Sequence, residues 1–157
     1  MIRCLIILFL CLTLNLSAQK GEAWKTIVVY SGSIILNAVG DGLNDSGTKD
    51  WGHICNAASL GLLLASPFII DYDKSKWAHY LTSYVALRIA FFDWTYNVSR
   101  GLPLNYIGNT SFWDKTMQHI SPQDGFAIGR VTALTVGICV PIQQLGKKSY
   151  RRNKIYR

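Results

Sequence analysis

Apolar residues in this chain are gathered into long runs rather than spaced along one helix face. Four such segments lie at about residues 24–43, 53–70, 77–96 and 125–145. Each has roughly the 17 to 25 residues that a helix needs to cross a bilayer. The pattern therefore predicts an all-α, polytopic integral membrane protein with about four transmembrane helices in a small bundle.

Polar connections separate these segments, and aromatic residues lie near the ends of the segments. Residues 44–47 and 71–76 are short polar connections, whereas 97–123 is a long loop. Gly101 is expected to end the third helix, and Ser121 with Pro122 to begin the fourth. Aromatic residues whose rings prefer the membrane–water interface lie near the segment ends: Trp24, Trp51, Trp77 and Tyr96.

A shorter apolar run precedes the four segments. It covers residues 5–16, follows Arg3 and ends before Ser17 and Ala18, as in a secretory signal. We therefore interpret residues 1–18 as a signal peptide or, if it is retained, as a first membrane anchor. Residues 19–146 would then form the membrane domain and 147–157 a basic tail.

Composition agrees with this interpretation. Half of the 157 residues are apolar and 16% are charged, against about 25% charged residues in ordinary soluble domains. The mean hydropathy of +0.18 is modest for a polytopic protein, so a soluble helical bundle stays open as an alternative. The lengths of the apolar runs favour the membrane.

Most of the net charge of +7 lies in the tail. Beside a last span, such a cluster typically fixes topology and lies against anionic headgroups, at about 1 kcal/mol per basic residue. Because the charge is local, it does not indicate a nucleic-acid partner. The basic side chains of this predicted membrane-surface tail are Lys147, Lys148, Arg151, Arg152, Lys154 and Arg157.

The leader and the tail predict opposite topologies. With four spans, ten lysines and arginines fall on the side of the tail and three on the other side, so the positive-inside rule places the tail in the cytoplasm. A cleaved signal peptide would deliver the new N-terminus, and with it the tail, to the outside. The third segment is the one most open to doubt as a span, because Arg88 and Asp93 are costly in lipid.

Polar residues inside the spans provide the main candidate site. At 1.5 Å per residue, Asp93 near the end of the third helix and Arg130 near the start of the fourth lie at similar depth, so they could form an ion pair. Asp93 and Asn97 share one stripe of the third helix, whereas Arg88 lies well off that stripe and needs a partner elsewhere. The candidate polar cluster, gathered at one membrane face, consists of Asp41, Asp93, Asn97, Arg100, Asp114 and Arg130.

Two interpretations of this cluster remain open. Its side chains either hold the helices together or line a polar pocket under the long loop that handles a headgroup, an ion or a proton. His53, His79 and His119 lack the tight spacing of zinc ligands, and no nucleophile or phosphate-loop motif stands out. The sequence thus predicts no metal and no cofactor, and names no catalytic residue.

The expected function is correspondingly broad. The absence of motifs favours a non-catalytic assembly, pore or envelope component of the plasma membrane or bacterial inner membrane. A membrane-embedded enzyme or carrier acting on a lipid-like substrate or ion is the alternative. Expected partners are the lipid bilayer, anionic headgroups and a second copy or another membrane protein.

Overall fold

The computed structural model describes residues 21–70, 72–108, 115 and 123–145. Over these residues every regular element is helical, which confirms the predicted all-α class. The four long helices are α1 (Gly21–Asp45), α2 (Lys49–Ile69), α3 (Trp77–Ser99) and α4 (Gln123–Leu145), and a 3-10 turn, Lys74–Lys76, precedes α3. Each predicted segment falls on one of these helices. The predicted leader and basic tail, and the predicted start of α4 at Ser121 and Pro122, lie outside the described residues.

Two glycines form the turns that end α1 and α3. Gly47 has φ +94° in the α1–α2 connection, and Gly101 has φ +72° after α3, a conformation that glycine adopts without a steric penalty. The Gly101 amide donates to the Val98 carbonyl and the Leu102 amide to the Asn97 carbonyl, at 3.1 and 2.8 Å. This is the Schellman pattern, and it ends the third helix where the sequence predicts.

The helices differ in how well they suit a bilayer. Ala23–Asp45 and Lys49–Ile69 are long and apolar enough to cross a membrane, and Ala127–Gln143 is a shorter apolar stretch within α4. Helix α3 does not reach the same hydropathy, because His79, Arg88 and Asp93 interrupt its apolar residues. By length and composition, two of the four predicted segments are therefore candidate spans.

Helix α1 is the centre of the bundle. It packs against α2, α3 and α4, and α3 also packs against α4. The core between them is built around fully buried Ile34 and Leu87, with Tyr30 and Tyr80 near one end. Helix α2 contacts the bundle mainly through α1. Most of its apolar surface therefore faces outward: 17% of its 18 most apolar consecutive residues are buried, against 50% for α1.

Small residues bring α1 and α2 close together. The Ser59 hydroxyl donates to the Ser33 carbonyl at 2.7 Å, and the two hydroxyls lie 3.1 Å apart. At Gly40 and Gly52, a Cβ atom on either residue would come within 2.8 Å of the other's carbonyl oxygen. Such close backbone approach is the packing that small residues permit between membrane helices. In contrast, Gly61 has nothing within 4 Å of the corresponding position.

Candidate functional site

The ion pair predicted between α3 and α4 is present. An Arg130 Nη2 atom donates to Asp93 Oδ2 at 2.9 Å. The arginine side chain is 1% exposed and the aspartate side chain 33%, and the guanidinium carbon lies 5.3 Å from the centre of the Trp94 ring. This buried cation therefore has both a carboxylate and an aromatic face beside it.

Asn97 is buried one turn beyond Asp93 and fastens the start of the long loop. Its Nδ2 atom donates to the Leu104 carbonyl at 3.1 Å and to the Tyr106 carbonyl at 2.9 Å. Both bonds fold the chain after the Gly101 turn back against α3. Asn97 thus satisfies backbone acceptors of the loop.

Asp41 lies in a different set of contacts, between α1 and α2. Its Oδ1 atom accepts from Asn56 Nδ2 at 2.9 Å, and its Oδ2 atom accepts from Asn37 Nδ2 at 3.4 Å. Asn37 Nδ2 also donates to Asn56 Oδ1 at 3.1 Å. The two amides and the carboxylate form a polar network at the place where the glycines bring α1 and α2 together.

Arg88 of α3 joins this network. Its Nη1 atom donates to Asn37 Oδ1 at 3.0 Å, and its guanidinium carbon lies 4.2 Å from the centre of the Phe92 ring. Asn37 therefore stands between a cationic and an anionic side chain, and its amide bonds to both. The partner that the sequence left open for Arg88 is this asparagine.

Arg100 lies at the exposed end of the bundle with Tyr96 and Asp45. Its Nη1 atom donates to the Tyr96 hydroxyl at 2.9 Å and lies 3.9 Å from Asp45 Oδ2. The Tyr96 hydroxyl in turn donates to Asp45. These three groups are largely solvated, so their attraction is weak compared with that of a buried pair.

The predicted polar cluster is therefore divided among several sets of contacts. Asp93 pairs with Arg130, Asn97 binds the loop backbone, Asp41 belongs to the asparagine network, and Arg100 lies with the surface group. Asp114 lies outside the described residues, as do the six basic residues of the tail. Where the structure describes the cluster, its members connect pairs of helices or a helix and its loop.

Three residues of the asparagine network were absent from the predicted cluster: Asn37, Asn56 and Arg88. One signal for them exists in the sequence, because Asn37, Asp41 and Asp45 recur every four residues and so share one side of α1. The residues Arg88, Phe92, Tyr96 and Arg100 recur in the same way on α3. These two stripes face each other along the α1–α3 contact, as the hydrogen bonds at both ends show.

Two open grooves in the described part of the bundle are apolar. One lies between α3 and α4 and is lined by Leu81, Thr82, Val85, Ala86, Ile89, Ala133 and Val136. Another lies beside α1 and α3 and is lined by Val39, Phe91, Trp94, Thr95, Val98 and Ser99. Their linings suit hydrocarbon rather than a charged substrate.

Comparisons of this chain with protein-family models, with curated proteins and with solved structures find no match.

Proposed function

We propose that the chain is a small integral membrane protein that acts as a non-catalytic assembly, pore or envelope component. The observation that carries this proposal is the distribution of side chains. Polar groups of the apolar helices bond to one another across helix contacts, while large apolar side chains face outward.

The outward face of α2 supports the proposal that lipid surrounds the bundle. Its exposed fractions reach 57% at Leu60, 67% at Leu64 and 87% at Phe68. A soluble monomer rarely exposes a contiguous apolar patch of this kind, whereas lipid tails cover it without loss. Trp24, Trp51 and Trp77 are also largely exposed at helix ends, which suits rings placed at the membrane–water interface.

The polar contacts support a structural role for the candidate residues. In hydrocarbon, a charged or amide side chain is costly unless another polar group binds it. The Asp93–Arg130 pair fixes α4 on α3, and the asparagine network fixes α1, α2 and α3 together. These bonds would give the bundle a defined arrangement, which small apolar helices in lipid otherwise obtain only from packing.

Substitution of Leu60 by lysine tests whether the α2 face meets lipid. Leu60 lies near the centre of α2, where lysine costs about 2.5–3.5 kcal/mol on the insertion scale. We expect Leu60→Lys to reduce the amount of protein that stays in the membrane pellet after alkaline carbonate extraction. Asn105→Lys is the matched control, because Asn105 is exposed in the segment after α3, and it should leave the pellet fraction unchanged.

The opposite result would contradict the membrane placement. At a solvated surface position, an exposed substitution changes stability by only about 0.5 kcal/mol. A Leu60→Lys protein that accumulates like the parent, with both released by carbonate, would identify a water-soluble bundle instead.

A reporter fused to the C-terminus tests the predicted topology. The excess of lysine and arginine on the side of the tail predicts a cytoplasmic reporter. We expect activity from a reporter that functions only in the cytoplasm and none from one that functions only outside. The reverse pattern would show that the tail is exported and would support a cleaved leader followed by four spans.

A further inference from the structure

Two contacts fix the guanidinium of Arg88. One edge is held by the bond from Nη1 to Asn37 Oδ1, at 3.0 Å. One face lies against the Phe92 ring, 4.2 Å from its centre. The Phe92 ring is itself stacked with Tyr96, with 6.4 Å between centroids and an interplanar angle of 8°. The orientation of the guanidinium is thus set before any ligand arrives.

The other edge of the same guanidinium stays available. Among the described residues, the guanidinium of Arg88 makes one hydrogen bond, from Nη1, so Nε and Nη2 are not used in it, and the side chain is only partly buried. These two groups form the side-on fork with which arginine binds a phosphate or carboxylate through two parallel hydrogen bonds. A fork held in place by its opposite edge loses little rotamer freedom on binding.

The nearby carboxylate does not occupy this fork. Both oxygens of Asp41 accept hydrogen bonds from the Asn37 and Asn56 amides. Asn37 therefore separates the two charges, and it uses its oxygen for the arginine and its nitrogen for the carboxylate. Arg88 and Asp41 therefore do not form a direct ion pair, and Asn37 orients the arginine instead.

If α3 crosses the bilayer, as proposed above, the depth of Arg88 increases its need for an anion. It is the twelfth of the 23 residues of α3, so it lies about 16 Å from either end of the helix. An arginine at such depth in a bilayer draws in water and headgroup oxygens by local thinning. A phosphate group would supply the two acceptors that the fork lacks.

We propose that the Nε–Nη2 edge of Arg88 binds a phosphate oxyanion, with Asn37 and Phe92 as positioning residues. Phosphate oxygens could come from the headgroup of an anionic phospholipid or from a free phosphate. The lipid source rests on the membrane placement proposed above, whereas free phosphate does not.

The test uses the full chain purified in a neutral detergent. Native mass spectrometry measures retention of phosphatidylglycerol, with diacylglycerol of the same acyl chains as the phosphate-free comparison. A separate thermal-shift titration uses inorganic phosphate. The variants are Arg88→Gln, which removes charge and fork, and Arg88→Lys, which keeps the charge alone. Lys74→Gln removes one exposed positive charge outside the site and is the matched control.

We expect the parent to retain phosphatidylglycerol in preference to diacylglycerol. Loss of two charge-assisted bonds should weaken this binding by about tenfold or more in Arg88→Gln, with Arg88→Lys intermediate and Lys74→Gln unchanged. A parallel response to inorganic phosphate would identify a general oxyanion site, and its absence a site specific for lipid.

Equal retention by the parent, Arg88→Gln and Arg88→Lys, together with no response to inorganic phosphate that depends on Arg88, would overturn the proposal. If Arg88→Gln does not fold, Arg88→Lys alone decides, because binding equal to that of the parent would exclude the fork. Either failure leaves the Leu60→Lys extraction result intact, so failure of the anion site is distinguishable from failure of the membrane placement.

Discussion

Replacing Asp93 by asparagine is expected to destabilise the bundle by about 3 kcal/mol, the lower end of the range for breaking a buried ion pair. The variant leaves the Arg130 side chain, which is 1% exposed, without the opposite charge of its partner. The lower end applies because Asp93 itself is 33% exposed and water can relieve part of the loss. The measurement is thermal unfolding of the detergent-solubilised protein, monitored by its circular dichroism at about 222 nm, which reports helix content.

A double variant separates the cost of removing one charge of the pair from the value of the pair. Asp93→Asn combined with Arg130→Gln removes both charges, so it should be more stable than Asp93→Asn alone. Arg100→Gln is the control, since it breaks the exposed pair with Asp45 and should cost at most about 1 kcal/mol. A cost for Asp93→Asn equal to that of Arg100→Gln would contradict the structural role of the Asp93–Arg130 pair.

The same variants distinguish the two interpretations of the polar cluster in cells. If the pair holds the helices together, Asp93→Asn should lower accumulation of the protein in the membrane, and the double variant should restore part of it. If the pair instead serves a reacting or transported group, the protein should accumulate normally while the phenotype of the gene is lost. The contacts on α3 and α4 favour the first outcome.

The helices were predictable because their causes are local. An apolar run of about 20 residues specifies a helix in lipid, and a glycine after it specifies the turn that ends it, as Gly101 does after α3. The Asp93–Arg130 pair was predictable for a similar reason, since helical rise alone places both residues at one depth. Neither prediction depends on how one helix is turned about its own axis relative to its neighbour.

The asparagine network was not predictable because it depends on that rotation. Asn37 and Asn56 are 19 residues apart on different helices, and only the packing at Gly40 and Gly52 brings their amides to 3.1 Å. The sequence grouped Asp41 with Asp93 because both were predicted to lie near one membrane face. Depth is shared by every side of a helix, so depth alone cannot select a partner.

Replacing Gly40 by alanine is expected to destabilise the protein by about 2–3 kcal/mol, near the upper part of the range for overpacking. A Cβ atom at Gly40 would lie 2.1 Å from Asn56 Oδ1 and 2.8 Å from the Gly52 carbonyl oxygen. The Asn56 side chain could rotate away from the new methyl group, but only by giving up its hydrogen bond to Asp41. The carbonyl belongs to the backbone of α2, so relief there requires the two helices to separate.

Gly61→Ala is the matched control and should act in the opposite direction. Its Cβ atom would meet nothing within 4 Å, so only the gain in helix propensity remains, about 0.5–1 kcal/mol. Both variants add one methyl group to a helical glycine, and thermal unfolding in the same detergent compares them directly. Equal shifts at the two positions would show that α1 and α2 do not approach closely at Gly40. A loss of stability at Gly40 against a gain at Gly61 would locate the α1–α2 contact where the asparagine network requires it, since the Asn56 amide reaches Asp41 only across that narrow gap.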